Sequence, residues 1–504
     1  MITSVGLVNT QAKTSSDEGW PSRLEASGSH FELVSSSYLP ITIDSSEPVK
    51  LMLDSVGGMV WMYLEAVSQA SSAELKVSGF IPGTTYHKYE DNYHNHQEFT
   101  ADSSGKYTYV QDLSKPHFVF IQTKESTKFI IDDATGGDCT AIGVWDNPSK
   151  TCTLSTDLAE TVEIDSDGIT LDGNGHSITG SGTGFGVHLN IKNFVTVKNL
   201  NITNFTNGIN LAFANNNHIT ANSISGNGDN GIFSLFSRNN TYDANSLFAN
   251  SNWGINLVAF SNSNDIFDNL VENNGNGLAL FSSSSNVLTG NTIRQNGGFG
   301  INLFNSSNNL IYRNNFIDNL TQVTVTGLGN AFNLSLPTGG NYWNDFDSPQ
   351  EGCENLNGDK FCDAPYAFSN GQDDYPWTIA SGWLAPTYVF SGVLPPIKPD
   401  GTGVFNLGRV IPLKFQLLDG IGNFVDSANA KLYLAEITDS VVGPETEAVS
   451  VSSSNVGNVF RYDPDENVYI FNLKTKDLST GKWRLRIALD DGTWKYLVIA
   501  LVSS

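Results

Sequence analysis

The chain has 504 residues, with 52 acidic and 27 basic side chains and a formal net charge of −25. That charge argues against nucleic acid or an anionic membrane surface as a partner. No run of about 18 apolar residues occurs, so no segment reads as a membrane span, and the length calls for several domains.

Residues 1–20 are polar and aperiodic. They read as a tail, or as a strand that pairs with a neighbouring subunit's sheet edge in a homo-oligomer. The opening Met-Ile-Thr-Ser lacks a basic n-region and an apolar core, as in a mature secreted chain whose signal has been removed. Residues 21–135 alternate in short stretches such as Val49-Lys50-Leu51-Met52-Leu53, divided by turns such as Ile81-Pro82-Gly83. This predicts a small β-sandwich. Within it, His94 and His96 would share one side of a strand, near His87 and His117, as metal ligands can; an exposed polar loop is the alternative.

Residues 136–380 carry the repeat. Gly208, Gly231, Gly254, Gly277 and Gly300 recur every 23 residues, each followed by an aliphatic residue. Upstream of each runs apolar-x-x-Asn-x-apolar-x-x-Asn, for example Ile219, Asn222, Ile224 and Asn227. A fixed period with period-2 apolar alternation predicts a right-handed parallel β-helix of three short strands per coil. Rungs about 4.8 Å apart let inward asparagines bond the corner backbone and one another. Glycine is expected at the turns for its freedom at positive φ. Asn269 lies 24 residues after Asn245 and 22 before Asn291, which predicts a bulge. Residues 139–157 are expected to cap the open end.

Cys139 with Cys152, and Cys353 with Cys362, form two close pairs. Local pairing is the simplest of three connectivities and implies an oxidising, extracellular or cell-surface location. Within the second pair, Asn355, Asn357, Asp359, the Phe361 carbonyl and Asp363 follow a calcium-loop spacing, with Lys360 where glycine is usual. This predicts a structural calcium ion, against a solvated acidic turn closed by the disulfide. Residues 381–504 predict a second β-sandwich, with strands such as Lys414-Phe415-Gln416-Leu417.

The segment from Ile169 to about Thr378 resembles the NosD-like parallel β-helix repeat family of bacterial and archaeal surface proteins. The resemblance lies in Leu171-Asp172-Gly173-Asn174-Gly175-His176 and in Gly340-Asn341-Tyr342-Trp343, Asp363-Ala364-Pro365-Tyr366 and Asp374-Tyr375-Pro376. It implies the fold. The repeat serves lyases, hydrolases, epimerases, metal-assembly proteins and plain surface proteins alike. The family's copper is not carried over, because no matching ligands stand in these coils. The segment from about Tyr388 resembles the PxKF domain of secreted prokaryotic proteins, through Pro395-Pro396-Ile397-Lys398-Pro399-Asp400 and Pro412-Leu413-Lys414-Phe415. That resemblance implies an accessory module.

Charged residues in the coils are few. Aligned by motif, Glu272 and Arg294 share a column in adjacent coils, Asp268 and Arg313 a second, and Asp243 and Tyr312 a third. Asp243, Asp268, Glu272, Arg294 and Tyr312 are therefore the acid–base candidates for a lyase or glycoside hydrolase; surface ion pairing is the alternative. Phe185, Phe233, Trp253 and Phe299 suit sugar-ring stacking if they face outward, and otherwise cover the coil or meet a neighbouring domain. Two functions follow: a secreted protein that binds, and in one version cleaves, a polysaccharide on the β-helix face; or a non-catalytic adhesive or filament-forming surface protein.

Overall fold

A computed structural model describes residues 23–503 except 124–125, 357–359, 385–387, 399, 420–421, 439–440 and 491–492. The expected tail at 1–20 lies outside the described residues. The chain divides into two units, Met1–Gly382 and Trp383–Ser504.

The first unit contains the parallel β-helix. Each coil lays one strand on each of three faces; in the opening coil these are Thr170–Asp172, Ser177–Thr179 and Phe185–Asn190. The first and third faces are nine-stranded sheets and the second is eight-stranded. Inward residues stack in files, such as Ile178, Ile202, Ile224, Leu247, Val271, Ile293, Phe316 and Trp343 on the second face. All of these are 1% exposed or less. Tyr242 enters the core because Ser234 is small, and their hydroxyls meet at 2.9 Å.

The corners are held by asparagine. Asn222, Asn245, Asn269, Asn291, Asn314 and Asn341 form one file, each Nδ2 donating to the next Oδ1 at 2.9–3.1 Å. Asn227, Asn250, Asn274, Asn296 and Asn319 form a second. A third, unexpected file runs through Asn217, Asn240, Asn264, Asn286, Asn309 and Asn330. Its signal lay in the sequence, since Asn217, Asn222 and Asn227 are five residues apart and the next four coils repeat that spacing.

Two expectations are corrected. The five repeat glycines do not have positive φ. A Cβ on Gly254 would instead stand 2.4 Å from Val271 Cγ1 and 3.0 Å from the Gly277 carbonyl oxygen, so glycine serves close coil packing. Non-glycine residues hold the left-handed turns, among them Ala221, Ala244, Asp268 and Arg313 at φ 52–55°. The predicted bulge is absent, because the strand pairing around Asn269 runs without a shift. The extra residue enters the turn at Ala259 and Phe260, both at positive φ, and the compensating loss falls between Asn274 and Gly277.

Both ends are closed. Helix Cys139–Ile142 and the hairpin Gly143–Asp146 with Thr151–Leu154 start the first face, stapled by the Cys139–Cys152 disulfide. At the other end buried Asp373 accepts from the Asn341 amide at 2.6 Å and from Trp343 Nε1 at 3.0 Å. Burial pushes the Asp373 carboxyl up to about 6 against these donors.

Residues 23–122 form one eight-stranded antiparallel sheet rather than two separate layers. Strand Ile41–Val56 pairs along Val49–Val56 with Met59–Ala66 and along Thr42–Ser45 with Ser72–Ser78, so the sheet curls around its own core. Its other side, bearing Trp61, Tyr89, Phe118 and Phe120, packs on the third face of the β-helix. The second unit is a β-sandwich of a four-stranded and a six-stranded sheet around a shared core. Within the Pro412–Phe415 motif, Leu413 and Phe415 enter that core while Lys414 pairs with Glu466 at 2.7 Å.

Asn269→Ala removes buried donors to the Tyr242 carbonyl and Asn291, and the acceptor of the Asn245 amide. It is expected to destabilise the first unit by about 3 kcal/mol; urea unfolding checks this.

Candidate glycan-binding face

In a parallel ladder, equivalent outward residues of successive coils lie about 4.8 Å apart. The register of the first face therefore builds one outward file from Asp172, Lys198, Thr220, Asp243, Phe267, Thr289 and Tyr312. Beside it runs Thr170, Thr196, His218, Thr241, Asp265, Val287 and Leu310. Most of these side chains are partly exposed. Lys198 Nζ is 3.1 Å from Asp172 Oδ2. Burial raises the Asp172 carboxyl, but hydrogen bonds from Asn199, Asn174 and Lys198 outweigh it and hold the group below the usual range. His218 Nε2 pairs with Asp243 Oδ1, and Thr220 Oγ1 donates to Asp243 Oδ2 at 3.0 Å. An open hollow bounded by Asn174, Gly175, Asn199, Asn201, Ala221 and Ser223 lies at the edge of this face.

The five acid–base candidates fall in three places. Asp243 and Tyr312 share the first-face file, three rungs apart, with Phe267 and Thr289 between them. Glu272 and Arg294 are adjacent on the second face, where Arg294 Nε donates to Glu272 Oε2 at 2.6 Å. Asp268 sits at the corner between them. Its carboxylate lies over Gly290, while Arg313 Nε turns to the Thr338 carbonyl at 3.4 Å.

The stacking candidates are corrected. Phe185, Phe233 and Trp253 are at most 1% exposed, and Phe299 is half-buried. Phe185 meets Phe120 at 5.1 Å and Phe233 meets Trp61 at 5.3 Å, both ring-centroid distances. Trp253 lies in the same buried cluster, stacked with Phe299 at 6.2 Å. The N-terminal sheet takes the apolar surface of the third face that a sugar would have used.

Of the calcium candidates, Asn357 and Asp359 lie outside the described residues. The Cys353–Cys362 disulfide closes the loop, Asp363 Oδ2 accepts from the Leu356 amide at 2.8 Å, and the Phe361 ring packs on Trp377 at 4.4 Å. The four candidate histidines of the N-terminal sheet do not form one site: His87 and His96 face each other with ring centroids 5.7 Å apart, and the other two lie elsewhere. His94 stacks on Phe129 and pairs with Asp165, His87 faces Glu98, and His117 bonds Asp91. Among the described residues no group of three or more His, Cys, Asp or Glu is placed to hold a metal.

Sequence reasoning missed His188, which lies fully buried where the N-terminal sheet meets the β-helix. Its Nε2 is 3.3 Å from the Asp91 carbonyl oxygen and its Nδ1 accepts from Asn210 at 3.0 Å, which makes the ring neutral. Burial pushes its pKa down to about 4. The preceding rung places Glu163 beside it, also fully buried, with its carboxyl well above the usual range for the same reason.

A family model described as periplasmic copper-binding protein (NosD) matches residues 121–348. Among solved structures, a variant of the periplasmic alginate epimerase AlgG is 19% identical over 35% of this chain and 45% of that chain, with a TM-score of 0.27. The A-module of mannuronan C-5 epimerase AlgE4 from Azotobacter vinelandii is 17% identical over 36% of this chain and 61% of that chain, with a TM-score of 0.28. Pectate lyase Pel9A is 12% identical over 41% and 78%, with a TM-score of 0.26. The chain thus spans 45% and 61% of the two epimerases' lengths. No curated protein matches it significantly.

Copper draws on thiolate, thioether and imidazole donors. The cysteines are disulfide-bonded, and the matched segment has no methionine. Its three histidines are separated: His176 in a turn with Asp157, His188 buried on the third face, and His218 on the first. This donor set does not fit a copper centre. The two disulfides accord with an extracellular or periplasmic location, and no described helix is long and apolar enough to cross a membrane.

Because the folded pKa of His188 lies below its unfolded value, the unfolded chain binds the proton first on acidification. Its contribution is whole above about pH 6.5 and is lost towards pH 4, by about 3 kcal/mol. Denaturation of wild type and His188→Gln across this window checks it: the variant should lose that part of the slope.

Proposed function

We propose that this chain is an extracytoplasmic carbohydrate-binding protein that holds a polysaccharide along the first face of its β-helix. The observation that carries the reading is the outward file from Asp172 to Tyr312. It offers carboxylate, ammonium, hydroxyl and aromatic groups at one-rung spacing. Sugars are held by stacking of a ring face on an aromatic side chain and by charge-assisted hydrogen bonds to hydroxyls. Phe267 supplies a ring, Tyr312 a ring and a phenol, and the His218–Asp243 pair a fixed acceptor and donor. A repeating polymer against a repeating ladder adds many weak contacts into useful avidity.

Of the acid–base candidates, Asp243 and Glu272 do not form a hydrolytic pair. Hydrolysis by two carboxyl groups needs both to flank one bond. Asp243 is engaged by His218 and Thr220 on the first face, and Glu272 by Arg294 on the second.

The loop closed by Cys353 and Cys362 is proposed to take calcium as a structural clasp, on the ligand spacing of Asn355, Asn357, Asp359, Phe361 and Asp363. The disulfide and the Asp363–Leu356 bond support a preformed turn.

Affinity electrophoresis against a panel of polysaccharides tests the binding face. Phe267→Ala is expected to weaken retention about tenfold with melting unchanged; equal retention removes the first face from the site, and oligosaccharide products by mass spectrometry would replace binding with catalysis. For the clasp, excess chelator should lower the melting temperature by several degrees and added calcium should restore it; identical melting curves rule the ion out.

A further inference from the structure

The second unit carries a sheet face of different chemistry. Strand Gly481–Ala488 sends Leu485 and Ile487 into the core and Lys482, Arg484 and Arg486 outward. Its neighbour Trp494–Val502 buries Leu497, Ile499 and Leu501 and turns Trp494, Tyr496 and Val498 outward. The register aligns Tyr433, Arg486 and Tyr496 in one row across three strands. The Arg484 guanidinium lies 4.5 Å from the Tyr496 ring centroid and that of Arg486 lies 4.4 Å from the Tyr433 centroid.

Glu445 fixes both arginines. It accepts from Arg484 Nη2 at 3.1 Å and from Arg486 Nε at 2.9 Å. Held between ring and carboxylate, the guanidiniums lie along the sheet and lose little entropy when a ligand arrives. Glu447 stands opposite Tyr433 on the same face and Lys431 and Lys482 lie in the flanking rows, so four cations meet two carboxylates and the patch is net positive. Trp494 and Tyr496 remain 54% and 48% exposed beside it. Residues 383–504 hold 11 of the 27 basic side chains but only 13 of the 52 acidic ones, so the net charge of the chain resides almost wholly in residues 1–382.

We infer that this face binds an acidic polysaccharide, whose uronate carboxylates meet Arg484 and Arg486 and whose sugar rings lie on Trp494 and Tyr496. A planar guanidinium matches a carboxylate in shape and charge, and a rigid aromatic gives a sugar ring a broad apolar surface. The patch selects by charge complementarity against neutral glycans. It stands on the second unit alone and does not rest on the first-face reading.

The test is affinity electrophoresis of the full-length protein in gels containing polygalacturonate, with dextran and single-stranded poly(dT) in parallel. Polygalacturonate should retard the wild type, less so at high salt, and more than either control. Trp494→Ala should raise the dissociation constant about tenfold. Val498→Glu places a carboxylate beside Arg484 at a surface position, and should weaken polygalacturonate binding similarly. The Trp494→Ala effect should persist in a Phe267→Ala background, which separates this patch from the first face. Absence of retardation, unchanged binding in both single variants, or stronger binding to poly(dT) than to polygalacturonate each overturns the inference.

Discussion

The first unit depends on satisfying the backbone at its corners. A chain that turns three times per coil withdraws peptide groups from the sheets at every turn and buries them, and each unpaired group would cost about 1–3 kcal/mol. Three files of asparagine meet this demand. In Asn245, for example, Nδ2 reaches the Ile219 carbonyl at 2.8 Å while Oδ1 accepts from the Asn222 amide at 3.0 Å. Its Nδ2 also donates to Asn269 of the following coil at 3.1 Å, so each side-chain amide ties the coils on either side to its own and holds the stack in one register. Length variation is confined to turns, as at Ala259–Phe260, and the strands stay aligned.

A ladder of this kind must also stop. At one end the hairpin and disulfide begin the first face, and at the other Asp373 takes the place of a further asparagine below Asn341. Along the third face the stop is lateral. Apolar outward residues that would be exposed on an isolated solenoid are covered by the concentrated aromatic side of the N-terminal sheet. Two faces then remain uncovered by that sheet: the first with the file from Asp172 to Tyr312, and the second with Thr179, Thr203, Ser225, Phe248, Glu272, Arg294 and Ile317.

Register also explains why outward side chains on such a scaffold are arranged in files. Side chains 23 residues apart in sequence, such as Thr220 and Asp243, become neighbours one rung away. The same logic, in antiparallel form, sets Tyr433, Arg486 and Tyr496 in a row on the second unit. On the proposed readings both surfaces would bind by repetition of modest contacts, which suits an extended polymer better than a small molecule.

The coil, its three strands and two of the asparagine files were legible from the sequence, because each is a local period repeated without long-range decisions. The columns of Glu272 with Arg294 and of Asp243 with Tyr312 followed from the same alignment. Phe267 stands in that column as well. What tertiary structure decided was exposure: Phe185, Phe233 and Trp253 have outward positions on the coil but are buried by another part of the chain. It also decided the role of the glycines, since the contact of Gly254 with Val271 joins neighbouring coils and leaves no mark on local turn chemistry. His218 with Asp243, and His188 with Asp91, pair across coils or across layers, so only the packing of distant segments brings them together. Periodicity determines which residues lie in one file, whereas the covering of that file depends on surfaces that meet only when the whole unit has folded.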